Sequence, residues 1–223
     1  LLIGASGAAN GTVLYEEGFE SGIGDWNGYN SEIARVGGGS TSSPGDNSHL
    51  EITDPENPDS DYFSGAYSWL GQPRTTLGLD WSVSLDIYID LNDPRITAGS
   101  YGFDLSQAMY DTEGNHEQDN IFHVGAADPE PDQTYELYLN ASHNTDYEIN
   151  SGRLTGDQPY GSDVDPGIFT ESGWYNFNFG FAPSPLADKD QFPQVTFSVS
   201  DPQDNPFWSA SWTPESYTIS EGG

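Results

Sequence analysis

The sequence predicts an all-β protein, folded as a single-domain antiparallel jelly-roll β-sandwich of about a dozen strands. Many short segments alternate apolar and polar residues, which is the period of a strand that is buried on one side. Clusters of Gly, Pro, Asn and Asp separate these segments, and no segment carries the 3.6-residue period of a helix. The 223 residues show no second compositional regime, which favours one domain over two.

The first predicted strand covers residues 13–19, where apolar and acidic residues alternate. Residues 20–28 follow as a glycine-rich loop around Trp26. Further strands are predicted at residues 31–36, 48–53 and 62–70.

Residues 81–91 form the clearest predicted strand, because their alternation is strict. One face carries the apolar side chains of Trp81, Val83, Leu85, Ile87, Ile89 and Leu91. The other face carries Ser82, Ser84, Asp86, Tyr88 and Asp90. This second face is polar enough to meet water or another charged surface.

The second half of the chain continues the meander. Strands are predicted at residues 101–109, 121–126, 134–140, 147–149, 174–181, 195–200 and 207–212. In residues 174–181, Trp174, Asn176 and Asn178 share one face, and four aromatic side chains share the other. His123 lies within an apolar run, so we expect a core histidine with a hydrogen-bond partner.

Charge limits the possible partners. The chain has 36 Asp and Glu residues against 5 Lys and Arg, for a formal net charge of −31. Nucleic acid is excluded, and an anionic membrane surface is disfavoured, because both need clustered cations. No apolar run approaches the length of a transmembrane helix, so no membrane span is expected. The repulsion among the many acidic side chains favours a medium rich in salt or divalent ions, as for a halophilic protein or an extracellular calcium-binding protein.

No catalytic constellation is present, and we predict that the protein is not an enzyme. Cysteine is absent, which removes disulfides and thiolate chemistry. The histidines at positions 49, 116, 123 and 143 lack zinc-site spacing. Chance pairs of carboxylates carry no weight in a chain this acidic.

Several segments resemble a known family. They are residues 81–90, the NIFHVGA and SGWYNF segments at 120–126 and 172–177, the turn at 144–146, and the stretch VTFSVSDPQDN. Together they resemble exported bacterial and archaeal jelly-roll domains that often carry a PEP-CTERM sorting signal. These domains are distantly similar to concanavalin-like and carbohydrate-binding β-sandwiches. The resemblance implies a fold and an extracellular or cell-surface location, and it implies no activity.

The N-terminal residues 1–10 form an apolar extension, and residues 11–223 form the predicted sandwich. The extension is either a signal-peptide remnant or a donor strand for another copy. Relatives usually continue past residues 222–223 into further strands, so the resemblance implies a missing strand and an apolar groove, unless the chain is truncated. The predicted assembly strand consists of Leu1, Leu2, Ile3, Ala5, Ala8 and Ala9.

Two further kinds of site are predicted. The resemblance implies calcium between the first strand and a later loop, at Glu17, Glu20, Asp46 and Asn47, which can supply oxygen ligands. The alternative is a set of solvated acidic loops. Aromatic side chains that stack on sugar rings could form a glycan platform at Trp26, Tyr88 and Trp174, and the alternative for each is a place in the core.

The sequence therefore predicts an extracellular structural subunit. It would polymerise with copies of itself into a filament or surface layer by N-terminal donor-strand addition, and divalent ions or salt would stabilise it. The alternative is a carbohydrate-binding module of the cell envelope, with polysaccharide as its partner.

Overall fold

The computed structural model describes eleven parts of the chain: residues 23–24, 26–29, 32–37, 48–53, 65–68, 81–110, 116–127, 135–145, 166–182, 194–203 and 205–212. Over these residues it contains twelve strands and one short helix. The strands are β1 (Trp26–Tyr29), β2 (Glu32–Gly37), β3 (Ser48–Thr53), β4 (Gly65–Ser68), β5 (Trp81–Ile89), β6 (Gly102–Tyr110), β7 (His116–Ala127), β8 (Glu136–Thr145), β9 (Gly167–Ile168), β10 (Gly173–Ala182), β11 (Gln194–Ser200) and β12 (Pro206–Trp212). The helix is α1 (Pro94–Thr97).

The strands form four antiparallel sheets. Two sheets have four strands each, in the orders β12-β11-β10-β5 and β6-β7-β8-β9, and two have two strands, β1-β4 and β2-β3. The predicted all-β antiparallel class is confirmed. The jelly-roll connectivity of the whole chain stays a prediction.

The two four-stranded sheets pack face to face around an aromatic core. Strand β10 has a strictly alternating sequence, and its odd-numbered side chains from Tyr175 to Phe181 are all buried. From β7 of the facing sheet, the fully buried ring of Phe122 lies 5.3 Å from Phe177, 4.7 Å from Phe179 and 5.1 Å from Phe197, measured between ring centroids. This packing is the arrangement of a β-sandwich, and most of the driving force comes from burying these rings.

A smaller apolar cluster lies around Leu85 on the inner side of β5. Partly buried side chains of Trp26, Leu50, Val83, Ile87 and Leu105 pack against it. Trp26 is the first residue of β1, where it pairs with Ser68 of β4. The prediction of a loop around Trp26 was wrong, because glycines beside a four-residue strand give it the composition of a loop.

Helix α1 is a single turn in the connection between β5 and β6. Asp93 caps it by accepting a hydrogen bond from the backbone N–H of Arg95 at 2.9 Å. The Arg95 guanidinium also pairs with the Asp93 carboxylate and lies 5.2 Å from the centre of the Tyr101 ring. A helix this short leaves no periodic pattern in the sequence, which explains why it was not predicted.

Within the part of the chain that is described, no helix is long and apolar enough to cross a membrane.

Candidate functional site

The outer side of the sheet β12-β11-β10-β5 is almost free of charge, and we call it the polar face. It is defined by the side chains that point away from the aromatic core. From β5 and β10 these are Ser82, Ser84, Asp86, Tyr88, Trp174, Asn176, Asn178 and Gly180. From β11 and β12 they are Thr196, Ser198, Ser200, Ser209 and Ser211. Asp86 is the single charged side chain among these residues. Asp90, which was predicted on the same face, follows the last residue of β5 and is exposed.

The strand register arranges the polar face in rows that run across the sheet. Asn178 of β10 lies between Ser84 of β5 and Ser198 of β11, and Ser198 lies beside Ser209 of β12. Neighbouring strands are about 4.8 Å apart, and successive outward residues on one strand are roughly 6.6 Å apart. Hydroxyl and amide groups therefore form a regular array with short side chains.

Exposure differs along the polar face. Ser82 is only 6% exposed, so it does not belong to the accessible part. Tyr88, Trp174 and Asn176 are half-buried, and Ser209 of the outer strand is exposed. The accessible part thus extends from the Tyr88 end of β5 across β10 to β12.

Tyr88 and Trp174 form an aromatic pair at one end of the polar face. They are direct cross-strand neighbours on β5 and β10. Their ring centroids are 5.5 Å apart, and the ring planes are inclined by 63°, which is an edge-to-face contact. The two residues were predicted as members of one glycan platform, and the structure brings them together.

Asp86 and Asn176 occupy the next cross-strand position beside the aromatic pair. The Nδ2 of Asn176 donates a hydrogen bond to Oδ1 of Asp86 at 2.7 Å. An ionised carboxylate only accepts hydrogen bonds, so this contact fixes which end of the Asn176 amide faces Asp86. A polar pair in a set orientation therefore lies next to two aromatic rings.

Asn176 was not among the predicted site residues. Asn176 alternates with buried aromatic residues, and this pattern in the sequence does place it on the outer side of β10. Its position beside Asp86 depends on the pairing of two strands that are distant in sequence, and the sequence alone does not give that register.

Trp26, the third predicted platform residue, does not lie on the polar face. Its side chain packs against Leu85, which points to the opposite side of β5 from Tyr88. Trp26 therefore contributes to the packing of the inner side.

The outer side of the other large sheet carries more charge, and we call it the charged face. It is defined by the outward side chains of Asp104, Ser106, Asp119, Ile121, His123, Glu136, Tyr138, Asn140 and Ile168. Three of these residues are carboxylic acids and one is a histidine. Tyr138 donates a hydrogen bond to Glu136 at 2.9 Å, so the aromatic residue of this face contacts a carboxylate.

His123 belongs to the charged face, and its predicted place in the core was wrong. Its neighbours Phe122 and Val124 are buried, so strand alternation turns His123 outward. Its Nδ1 lies 2.8 Å from Oδ1 of Asp104, its cross-strand neighbour.

The turn between β11 and β12 is held by Asp201. Its Oδ1 accepts hydrogen bonds from the backbone N–H groups of Gln203 at 2.9 Å and Asn205 at 2.8 Å. The side-chain hydrogen bond from Asn205, followed by these backbone bonds, lowers the pKa of Asp201.

The hydroxyl group of the nearby Tyr175 donates a hydrogen bond to the backbone carbonyl of Glu171 at 3.0 Å. Burial, with the neighbouring carboxylates, raises the pKa of Tyr175 and keeps it neutral.

The predicted calcium ligands Glu17, Glu20, Asp46 and Asn47 lie outside the described residues. The predicted assembly strand, with Leu1, Leu2, Ile3, Ala5, Ala8 and Ala9, lies outside them as well. Where the structure is described, no group of three or more His, Asp or Glu side chains is arranged to hold a metal ion. Calcium stays a prediction from the sequence.

No family model, curated protein or solved structure matches this chain.

Proposed function

We propose that the polar face binds carbohydrate and that the protein acts as a carbohydrate-binding module of the cell envelope, outside the cell. The observation that carries this proposal is the Tyr88–Trp174 pair beside an array of hydroxyl and amide groups.

Sugar rings have an apolar face and a rim of hydroxyl groups, so their binding sites combine aromatic side chains with neutral polar groups. The polar face supplies both. Tyr88 and Trp174 supply the aromatic surface, and Asn176 and Asn178 supply amide groups that can both donate and accept hydrogen bonds.

Charge distribution supports the same proposal. A chain with a net charge of −31 repels another copy of itself and any polyanion wherever its acids face outward. Asp86 is the one carboxylate among the residues that define the polar face, and Asp90 lies just beyond the end of β5. A neutral, hydroxyl-rich partner fits this face without electrostatic repulsion.

Affinity electrophoresis in gels that contain polysaccharide tests the proposal. We expect the intact protein to be retarded by at least one neutral polymer, such as hydroxyethylcellulose, dextran or starch. The change Trp174→Ala should weaken binding about tenfold or more, which is the usual effect of removing a central aromatic side chain.

Tyr138→Ala is the matched control, because it removes an aromatic side chain from the charged face. Its retardation should equal that of the unchanged protein. Equal retardation of the Trp174→Ala and Tyr138→Ala proteins, or no retardation in any gel, would contradict the proposal.

The composition of residues 1–9 favours a second candidate function. They are apolar and uncharged in a strongly acidic chain, as expected for a donor strand that completes the sheet of a neighbouring copy. In this proposal the protein is a structural subunit of a filament or surface layer. Deletion of residues 1–9 should then leave monomers in sedimentation experiments, and unchanged assembly after deletion would refute the idea.

A further inference from the structure

We propose that the polar face accepts uncharged polysaccharide and rejects polymers that carry carboxylate groups, and that Asp86 determines this selectivity. The inference rests on the proposed carbohydrate binding and specifies the chemical class of the ligand.

The first step of the argument is the location of Asp86. It is the cross-strand partner of Asn176, and Tyr88 and Trp174 occupy the adjacent cross-strand position. A sugar stacked on either aromatic ring and hydrogen-bonded to Asn176 would therefore lie within a few ångströms of the Asp86 carboxylate, roughly one strand spacing away.

The second step is the hydrogen bond between these two residues. Because the Asn176 amide nitrogen faces Asp86 at 2.7 Å, its amide oxygen faces away from the carboxylate. A sugar hydroxyl can donate to that oxygen. A ligand carboxylate has no proton to donate, and it would also bring a second negative charge close to Asp86.

The third step separates Asp86 from the overall charge of the protein. In about 1 M salt the Debye length is roughly 3 Å, so distant acids no longer act on a ligand at the polar face. Asp86 is partly buried, and the interactions of a partly buried charge are screened much less. Selectivity that persists in high salt must therefore come from a carboxylate within the contact region. Asp86 is the carboxylate that contacts Asn176, whereas Asp90 lies beyond the end of β5, on the far side of Tyr88.

The experiment compares neutral polymers with their carboxymethyl derivatives, which share one backbone. The pairs are hydroxyethylcellulose with carboxymethylcellulose, dextran with carboxymethyldextran, and starch with carboxymethylstarch. Binding is measured by affinity electrophoresis, with proteins and gels equilibrated in low salt, and by pull-down on cross-linked polymer in about 1 M NaCl.

The variants are Asp86→Asn and, as a matched control, Asp104→Asn on the charged face. Both remove one negative charge and keep the shape of the side chain. We expect Asp86→Asn to strengthen binding to the carboxymethyl polymer about fivefold in high salt, as for the loss of one repulsive contact at a partly buried charge. Asp104→Asn should not change this binding. Thermal unfolding confirms that both variants are folded.

The outcomes separate the two proposals. Equal binding of the intact protein to a neutral polymer and its carboxymethyl derivative would overturn the selectivity and leave carbohydrate binding intact. The same result for Asp86→Asn and Asp104→Asn would overturn the role of Asp86. No retention by any polymer, neutral or carboxymethylated, would overturn the proposed function itself.

Discussion

On the polar face, the defining residues from four strands include one carboxylate, whereas those that define the charged face include three acids and a histidine. Both faces cover the same aromatic core and belong to a chain with a net charge of −31. Solvation alone would not require such a difference, because charged side chains suit any water-facing strand. This difference is the basis of the proposal that the polar face binds an uncharged partner.

The two sheets that carry these faces are held together by the aromatic core, and a change in this core should have the largest effect on the free energy of unfolding. Phe122→Ala should lower the free energy of unfolding by about 3–5 kcal/mol, because the buried ring contacts three phenylalanines of the opposite sheet. Ile121→Ala changes the preceding residue of the same strand, which points outward, and should lower the free energy of unfolding by about 1 kcal/mol. Urea denaturation measures both values. Similar losses would show that the sheets do not pack through Phe122.

Replacing one glycine on each face by alanine should change the free energy of unfolding by a smaller amount, and by a different amount on the two faces. A Cβ at Gly102, on the side of the charged face, would lie 3.1 Å from the carbonyl oxygen of Val124. A Cβ at Gly180, on the polar face, would meet its nearest atoms at ordinary contact distances of 3.7 Å or more. Gly102→Ala should therefore cost about 1 kcal/mol, and Gly180→Ala should stay within about 0.5 kcal/mol of the unchanged protein. The reverse order in thermal unfolding would contradict the assigned geometry.

The smallest effect concerns the turn that ends the sheet bearing the polar face. The pKa of Asp201 is lowered in the folded state, so its contribution to stability is present above its unfolded pKa of about 3.9 and is lost as the pH falls through the folded pKa. Asp201→Ala should therefore lower the Tm at neutral pH, and the difference should shrink below about pH 4.

Ser209→Ala, in the following strand, serves as the control because it removes no titrating group. Its Tm difference from the unchanged protein should not depend on pH over the same range. A constant difference for Asp201→Ala as well would show that the carboxylate charge does not hold the turn.

Sequence reasoning succeeded where alternation was long and strict. In β5 and β10 it identified the buried side and the polar side, including the faces of Tyr88 and Trp174. It could not show that these two rings touch, because the pairing of distant strands is set by packing of the whole sheet.

The errors have local causes. Trp26 lies among glycines and was assigned to a loop, although a four-residue strand needs only backbone pairing with β4. His123 was assigned to the core because it follows Ile121 and Phe122, yet Ile121 is itself an outward residue of the strand. Because the outward Ile121 is apolar like the buried Phe122, the sequence did not show which residues of this strand point inward.

The pairing of β5 with β10 also affects how the chain folds. Asp86 and Asn176 are 90 residues apart in the sequence, and the hydrogen bond between them lies in a ladder whose other pairs are similarly distant. Contacts of such long range form slowly, because a long loop must close before any of them contributes. During synthesis on the ribosome, β5 emerges long before β10, so the edge that pairs with β10 stays unpaired until β10 has been made. We therefore expect the polar face to be among the last surfaces to form.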